Sequence, residues 1–130
     1  MTTRVLYVED NDQNFYLVNY ILEANGYEVV RAKDGLEGVE LARTIDPRLI
    51  LLDIQLPVMD GYATARELRT IPGLVDVPVV ALTSYAMAGD REKALAAGCT
   101  GYIEKPINPT TFAEEIASHL GKAPVGGGVR

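Results

Sequence analysis

Short apolar runs alternate five times with stretches of helical periodicity along this chain of 130 residues, and no other feature limits its fold as much. Val5–Val8 (VLYV) has the β-forming composition of a buried strand. Phe15, Leu17, Val18, Ile21 and Leu22 then recur at helical spacing up to Gly26, a helix-closing glycine. The same two signals return in Glu28–Arg31 with a helix over Gly35–Thr44, and in Leu49–Leu52 with a helix over Ala63–Arg69. They return again in Val77–Leu82 with an alanine-rich helix over Ala86–Ala97. Tyr102–Glu104 and a helix striped by Phe112, Ile116 and Leu120 complete the series, with Asn108-Pro109 as N-cap and first helical residue.

Strands joined through helices run parallel, and their helices must cover both faces of the sheet. Right-handed crossovers then favour an α/β fold: a doubly wound, five-stranded parallel sheet, order 2-1-3-4-5, with five helices. One domain over residues 1–121 accounts for the periodic sequence, and 122–130, rich in glycine, reads as a flexible tail. The net charge of −6 speaks against a nucleic-acid partner, which needs a basic face. No stretch is long enough to span a membrane and MTTRVLYVED carries no signal segment, so a cytoplasmic location is expected. The single cysteine, Cys99, excludes a disulfide framework and reads as a small packed hydrophobe.

In such a sheet, ligands collect outside the carboxyl ends of the strands, at the switch point of the winding. The first strand ends in Glu9-Asp10, with Asp12 beyond it, and the third ends in Asp53. The fourth ends in Thr83-Ser84 and the fifth in Lys105-Pro106. Asp53 closes the run LILLD, where a charge needs a partner or a metal. Converging carboxylates suit a hard divalent cation, and a lysine and a hydroxyl beside them suit a phosphoryl group. Asp53 is the natural nucleophile, since carboxylates form aspartyl-phosphates. Taken singly, these residues have plainer roles as caps, turns and surface charges. Matching chemistry at four strand ends favours a site.

At this point the sequence resembles the receiver domain of bacterial two-component response regulators, over about residues 3–121. The resemblance rests on VLYVEDN (5–11), LLDIQLPVMDG (51–61), ALTSYA (81–86) and YIEKPI (102–107), and AMAGDREKALAAGC is similar to stand-alone and hybrid-kinase receivers. It implies the flavodoxin-like fold shared by CheY-like proteins. It also implies that Asp53 accepts a phosphoryl group from a sensor histidine kinase or a histidine phosphotransfer protein. Glu9, Asp10, Asp53 and the backbone carbonyl of Gln55 would hold Mg²⁺. Thr83 and Lys105 would contact the phosphoryl oxygens, Lys105-Pro106 would be a cis peptide, and Thr83 and Tyr102 would form the switch. The output would be a changed face of helix 4, strand 5 and helix 5, read by a downstream protein. The chain would then be a monomer or weak dimer, and no enzyme beyond catalysing its own phosphorylation and dephosphorylation. Tyr85, beside the pocket, is expected to hinder hydrolysis. An aspartate phosphatase is the rival of another class, but it commonly carries a second aspartate where this chain has Gln55. A receiver that only docks is disfavoured by the intact set of Glu9, Asp10, Asp53, Thr83 and Lys105.

Overall fold

A computed structural model describes residues 3–56, 58–83 and 89–120. Five strands, β1 (Thr3–Val8), β2 (Tyr27–Ala32), β3 (Leu49–Asp53), β4 (Val79–Thr83) and β5 (Gly101–Glu104), alternate with α1 (Asp12–Ala24), α2 (Gly35–Ile45), α3 (Gly61–Leu68), α4 (Asp90–Ala96) and α5 (Phe112–Leu120). A short 3-10 turn, Pro72–Leu74, precedes β4. All neighbouring strands pair in parallel, in the order 2-1-3-4-5 expected from the sequence. The expected tail, 122–130, lies outside the described residues, as do Ser84, Tyr85 and the first residues of the helix expected from Ala86.

The period-two alternation of side chains along each strand divides the core into two layers. Val5, Tyr7, Leu49, Leu51, Val80, Leu82 and Ile103 pack beneath α1 and α5 through Val18, Leu22, Phe112 and Ile116. Leu6, Val8, Ile50, Leu52, Val79 and Ala81 pack beneath α2, α3 and α4 through Val39, Leu68 and Ala94. Every residue of β3 is buried, which explains why Leu49–Leu52 are all apolar rather than alternating.

Local chemistry sets most helix starts. Asn11, Asp34 and Asp60 cap α1, α2 and α3 by accepting the N–H of the third residue onward, each at 2.8 Å. The fourth helix differs from expectation, since Gly89 lies at φ 91° in the left-handed region and the described helix starts only at Asp90. β4 begins at Val79 and ends at Thr83, two residues later and one residue later than the sequence implied, and the carbonyl of Pro78 still accepts the Ile50 N–H at 2.9 Å.

The loop from β3 to α3 is held close to the sheet. A Cβ at Gly61 would sit 2.5 Å from the Cα of Ile54 and 2.7 Å from the carbonyl oxygen of Asp53, so only glycine permits the approach. In the same loop Val58 adopts φ 69° while 79% exposed. A β-branched residue in this region is strained by about 1–2 kcal/mol, and here no packing compensates. Val58→Asn is expected to raise stability by about 1 kcal/mol, read as a higher urea midpoint with an unchanged slope. An unchanged or lower midpoint would show that the left-handed conformation costs nothing at this position.

Candidate functional site

Strand parity gathers the charged residues. Tyr7 and Leu51 face the α1/α5 layer, and so do their partners two residues on, Glu9 and Asp53. Ile103 faces the same layer, and Lys105 follows it at the same interval. The backbone anchors each group: the Glu9 N–H donates to the Ala32 carbonyl at 2.9 Å, the Ile54 N–H to Leu82 at 3.0 Å, and the Lys105 N–H to Thr83 at 2.7 Å. The Lys105–Pro106 peptide is cis.

Glu9 is fully buried and Asp53 is 5% exposed. The Lys105 ammonium lies between them, 3.2 Å from Glu9 Oε1 and 3.4 Å from Asp53 Oδ2. Asp53 Oδ1 accepts the Gln55 N–H at 3.1 Å. Burial, followed by repulsion from Glu9, pushes the Asp53 carboxyl up to about 6, against the opposing pull of Lys105 and the Gln55 N–H. One ammonium thus serves two buried carboxylates.

Asp10 is exposed at the rim, and carboxylate oxygens of Glu9, Asp10 and Asp53 lie within 4.8 Å of one another. An all-oxygen set of this charge and compactness fits a hard divalent cation. Thr83 is buried and belongs to the other parity, the side of the sheet on which half-buried Tyr102 also packs. Gln55 is exposed, and the contact it makes with Asp53 is through its N–H. Asp12 ion-pairs with Arg31 at 2.8 Å.

Two residues escaped the sequence reading. The Tyr7 hydroxyl donates to Glu9 Oε1 at 2.9 Å, and the Arg31 Nε donates to the Glu9 carbonyl at 3.1 Å. An aromatic hydroxyl two residues before Glu9 in an aliphatic strand is the signal that could have found Tyr7. Arg31 carries no such signal, because its pairing with β1 emerges only from the sheet register Tyr7↔Arg31.

Comparison with known proteins bears on this arrangement. The family model described as response regulator receiver domain matches residues 5–117. The polar-differentiation response regulator DivK of Brucella ovis is 46% identical over 123 residues, spanning 95% of this chain and all of that protein. Among solved structures, the receiver domain of sensor histidine kinase PA1611 from Pseudomonas aeruginosa, with a magnesium ion coordinated in its active-site cleft, superposes with a TM-score of 0.86. It is 36% identical, covering 93% of this chain and 99% of that one. The chemotaxis protein CheY4 of Vibrio cholerae gives a TM-score of 0.87 at 28% identity, with 92% and 99% covered.

The raised Asp53 carboxyl has a consequence for stability. Between about pH 4 and pH 6 the folded state retains a proton that the unfolded state has lost, so stability falls as pH rises through that window. Removing the charge removes the penalty. Asp53→Asn is expected to stabilise the metal-free protein at pH 7.5 by roughly 1–3 kcal/mol, seen as a melting temperature higher by several degrees in EDTA, with the gap closing near pH 4. Equal melting temperatures at pH 7.5 would contradict the assigned shift.

Proposed function

The chain belongs to the response regulator receiver family, and from that premise we propose that it takes a phosphoryl group onto Asp53 and passes the signal on by protein contact. The observation that carries this reading is the buried Asp53 carboxylate facing Lys105 within a compact cluster of three carboxylates. The phosphoryl donor is a phosphohistidine of a sensor histidine kinase or a histidine phosphotransfer protein. An Asp53 oxygen attacks phosphorus, the new P–O bond forms as the P–N bond breaks, and the electron pair leaves on the imidazole nitrogen.

Each residue has a part in that step. The Gln55 N–H fixes Oδ1, leaving Oδ2 toward Lys105, and the ammonium neutralises charge on the incoming phosphoryl oxygens. Glu9, Asp10, Asp53 and the backbone carbonyl of Gln55 are the ligands for Mg²⁺, which supplies charge neutralisation of the phosphoryl group when bound. A carboxyl near 6 is mostly ionised at neutral pH, so Asp53 is available as a nucleophile even before the ion binds. The protein's catalysis is confined to its own phosphorylation and dephosphorylation. Tyr85, a candidate for slowing the latter, lies outside the described residues.

The phosphoryl group draws Thr83 toward it, Tyr102 turns inward, and an existing equilibrium of the face formed by α4, β5 and α5 shifts. A downstream protein reads that face. Exposed Tyr16, Leu17 and Tyr20 on α1, beside a recess of about 370 Å³ lined by Asn14, Leu17, Lys105, Pro106 and Ile107, offer the donor an apolar landing surface near Asp53. With a charge of −6, basic protein surfaces are the natural partners rather than nucleic acid, and a monomer or weak dimer suffices. No helix among the described residues is long and apolar enough to cross a membrane, in keeping with action in the cytoplasm.

Incubation with acetyl phosphate and Mg²⁺ is expected to add one phosphoryl group, detected by intact-protein mass spectrometry. EDTA or Asp53→Asn should abolish the product, and Lys105→Met should slow its formation at least about tenfold. Labelling that persists in Asp53→Asn would overturn the assignment of the acceptor.

A further inference from the structure

Glu9 is held more tightly than any other carboxylate of the cluster. Its Oε1 accepts from the Tyr7 hydroxyl at 2.9 Å and from Lys105 Nζ at 3.2 Å, and its Oε2 accepts from the Asn11 N–H at 3.1 Å. Lys105 divides itself between Glu9 and Asp53, so it restrains Glu9 only in part. Tyr7 has no such second task. Its ring is fully buried and stacked on Phe15 at 5.9 Å and 24°, and the Arg31 guanidinium lies 4.7 Å from the Phe15 centroid. Arg31 is itself tied to the Glu9 carbonyl and to Asp12. The hydroxyl therefore has one place to be.

This fixation bears on which cation the cluster accepts. Mg²⁺ demands near-octahedral geometry at about 2.0–2.1 Å, whereas Ca²⁺ takes six to eight oxygens at about 2.3–2.6 Å and favours bidentate carboxylates. A carboxylate with Oε1 bound to a rigid hydroxyl and Oε2 to a backbone N–H cannot rotate to present both oxygens. Resting on the receiver reading, we infer that Tyr7 is a positioning residue that sets the selectivity of the acidic cluster for Mg²⁺ over Ca²⁺. Without the hydroxyl, Glu9 gains a rotational freedom that a large, tolerant cation can use and a small, demanding one cannot.

The test compares MgCl₂ and CaCl₂ titrations of the full chain by isothermal calorimetry, for the wild type, Tyr7→Phe and Tyr27→Phe. Tyr7→Phe keeps the stacked ring and loses only the donor. Its Mg²⁺ dissociation constant should rise about tenfold while that for Ca²⁺ stays level or falls, as expected for a partner that orients a metal ligand. Tyr27→Phe, on β2 outside the cluster, should behave as wild type. Phe15→Leu keeps the hydroxyl without its stacking partner and should shift the Mg²⁺/Ca²⁺ ratio in the same direction by less, a second route should Tyr7→Phe fold poorly. Equal weakening of both ions in Tyr7→Phe, or an unchanged ratio, overturns the inference while leaving the receiver reading intact. A wild type that binds neither cation overturns both.

Discussion

Two buried carboxylates share one ammonium, and much of the molecule is arranged around that shortage of positive charge. Glu9 and Asp53 come from adjacent parallel strands, and Lys105 reaches both from the far edge of the sheet. Bringing these groups together costs free energy that the apolar layers must offset. β3 supplies the means: Leu49 to Leu52 are entirely buried, and side chains of this kind contribute roughly 1.5–3 kcal/mol each. A strand so strongly fixed can end in a group that, left to itself, would stay in water. In the proposed function, that excess negative charge is what a divalent ion would meet.

Parity keeps the chemistry and its readout apart. Glu9, Asp53 and Lys105 extend the layer beneath α1 and α5, whereas Thr83 and Tyr102 belong with the layer beneath α2, α3 and α4. In the proposed function, a group added at Asp53 would meet Thr83 across the strand ends, on the same side of the sheet as Tyr102. Arg69 ties the chain after α4 to the loop before β4, donating to the carbonyls of Gly98, Leu74 and Val77 at 2.8–2.9 Å. At its other end α4 begins at Gly89 with no side-chain cap, and within its span only Ala94 is buried. An element with so little buried surface belongs to the low-stability part of a fold.

The sheet and most helices were legible because their signals are local: apolar runs of strand length, helical spacing, and capping residues such as Asp34 and Asp60. Asp53, Glu9 and Lys105 were legible because the winding rule sends strand ends to one edge. The start of α4 was not. Alanine-rich sequence favours helix anywhere, and nothing in AMAGD announces that Gly89 takes a left-handed conformation. Tyr7 and Arg31 were missed for a different reason. Their importance lies in side-chain geometry across β1 and β2, which register determines and composition does not.

The shared lysine explains how two buried carboxylates can persist side by side, and the proposed step draws on the same balance. Were Asp53 fully paired, its carboxyl would sit low and its oxygens would be occupied, making it a poor nucleophile. Were it unpaired, it would protonate at neutral pH and again be unreactive. The Lys105 ammonium at 3.4 Å, shared with Glu9, leaves Asp53 between these limits, near 6. Glu9 is what keeps the lysine from committing itself to Asp53, and the Tyr7 hydroxyl and Asn11 N–H are what keep Glu9 in place. In the proposed step, the reactivity of Asp53 is therefore set by a neighbour that need not touch the phosphoryl group at all.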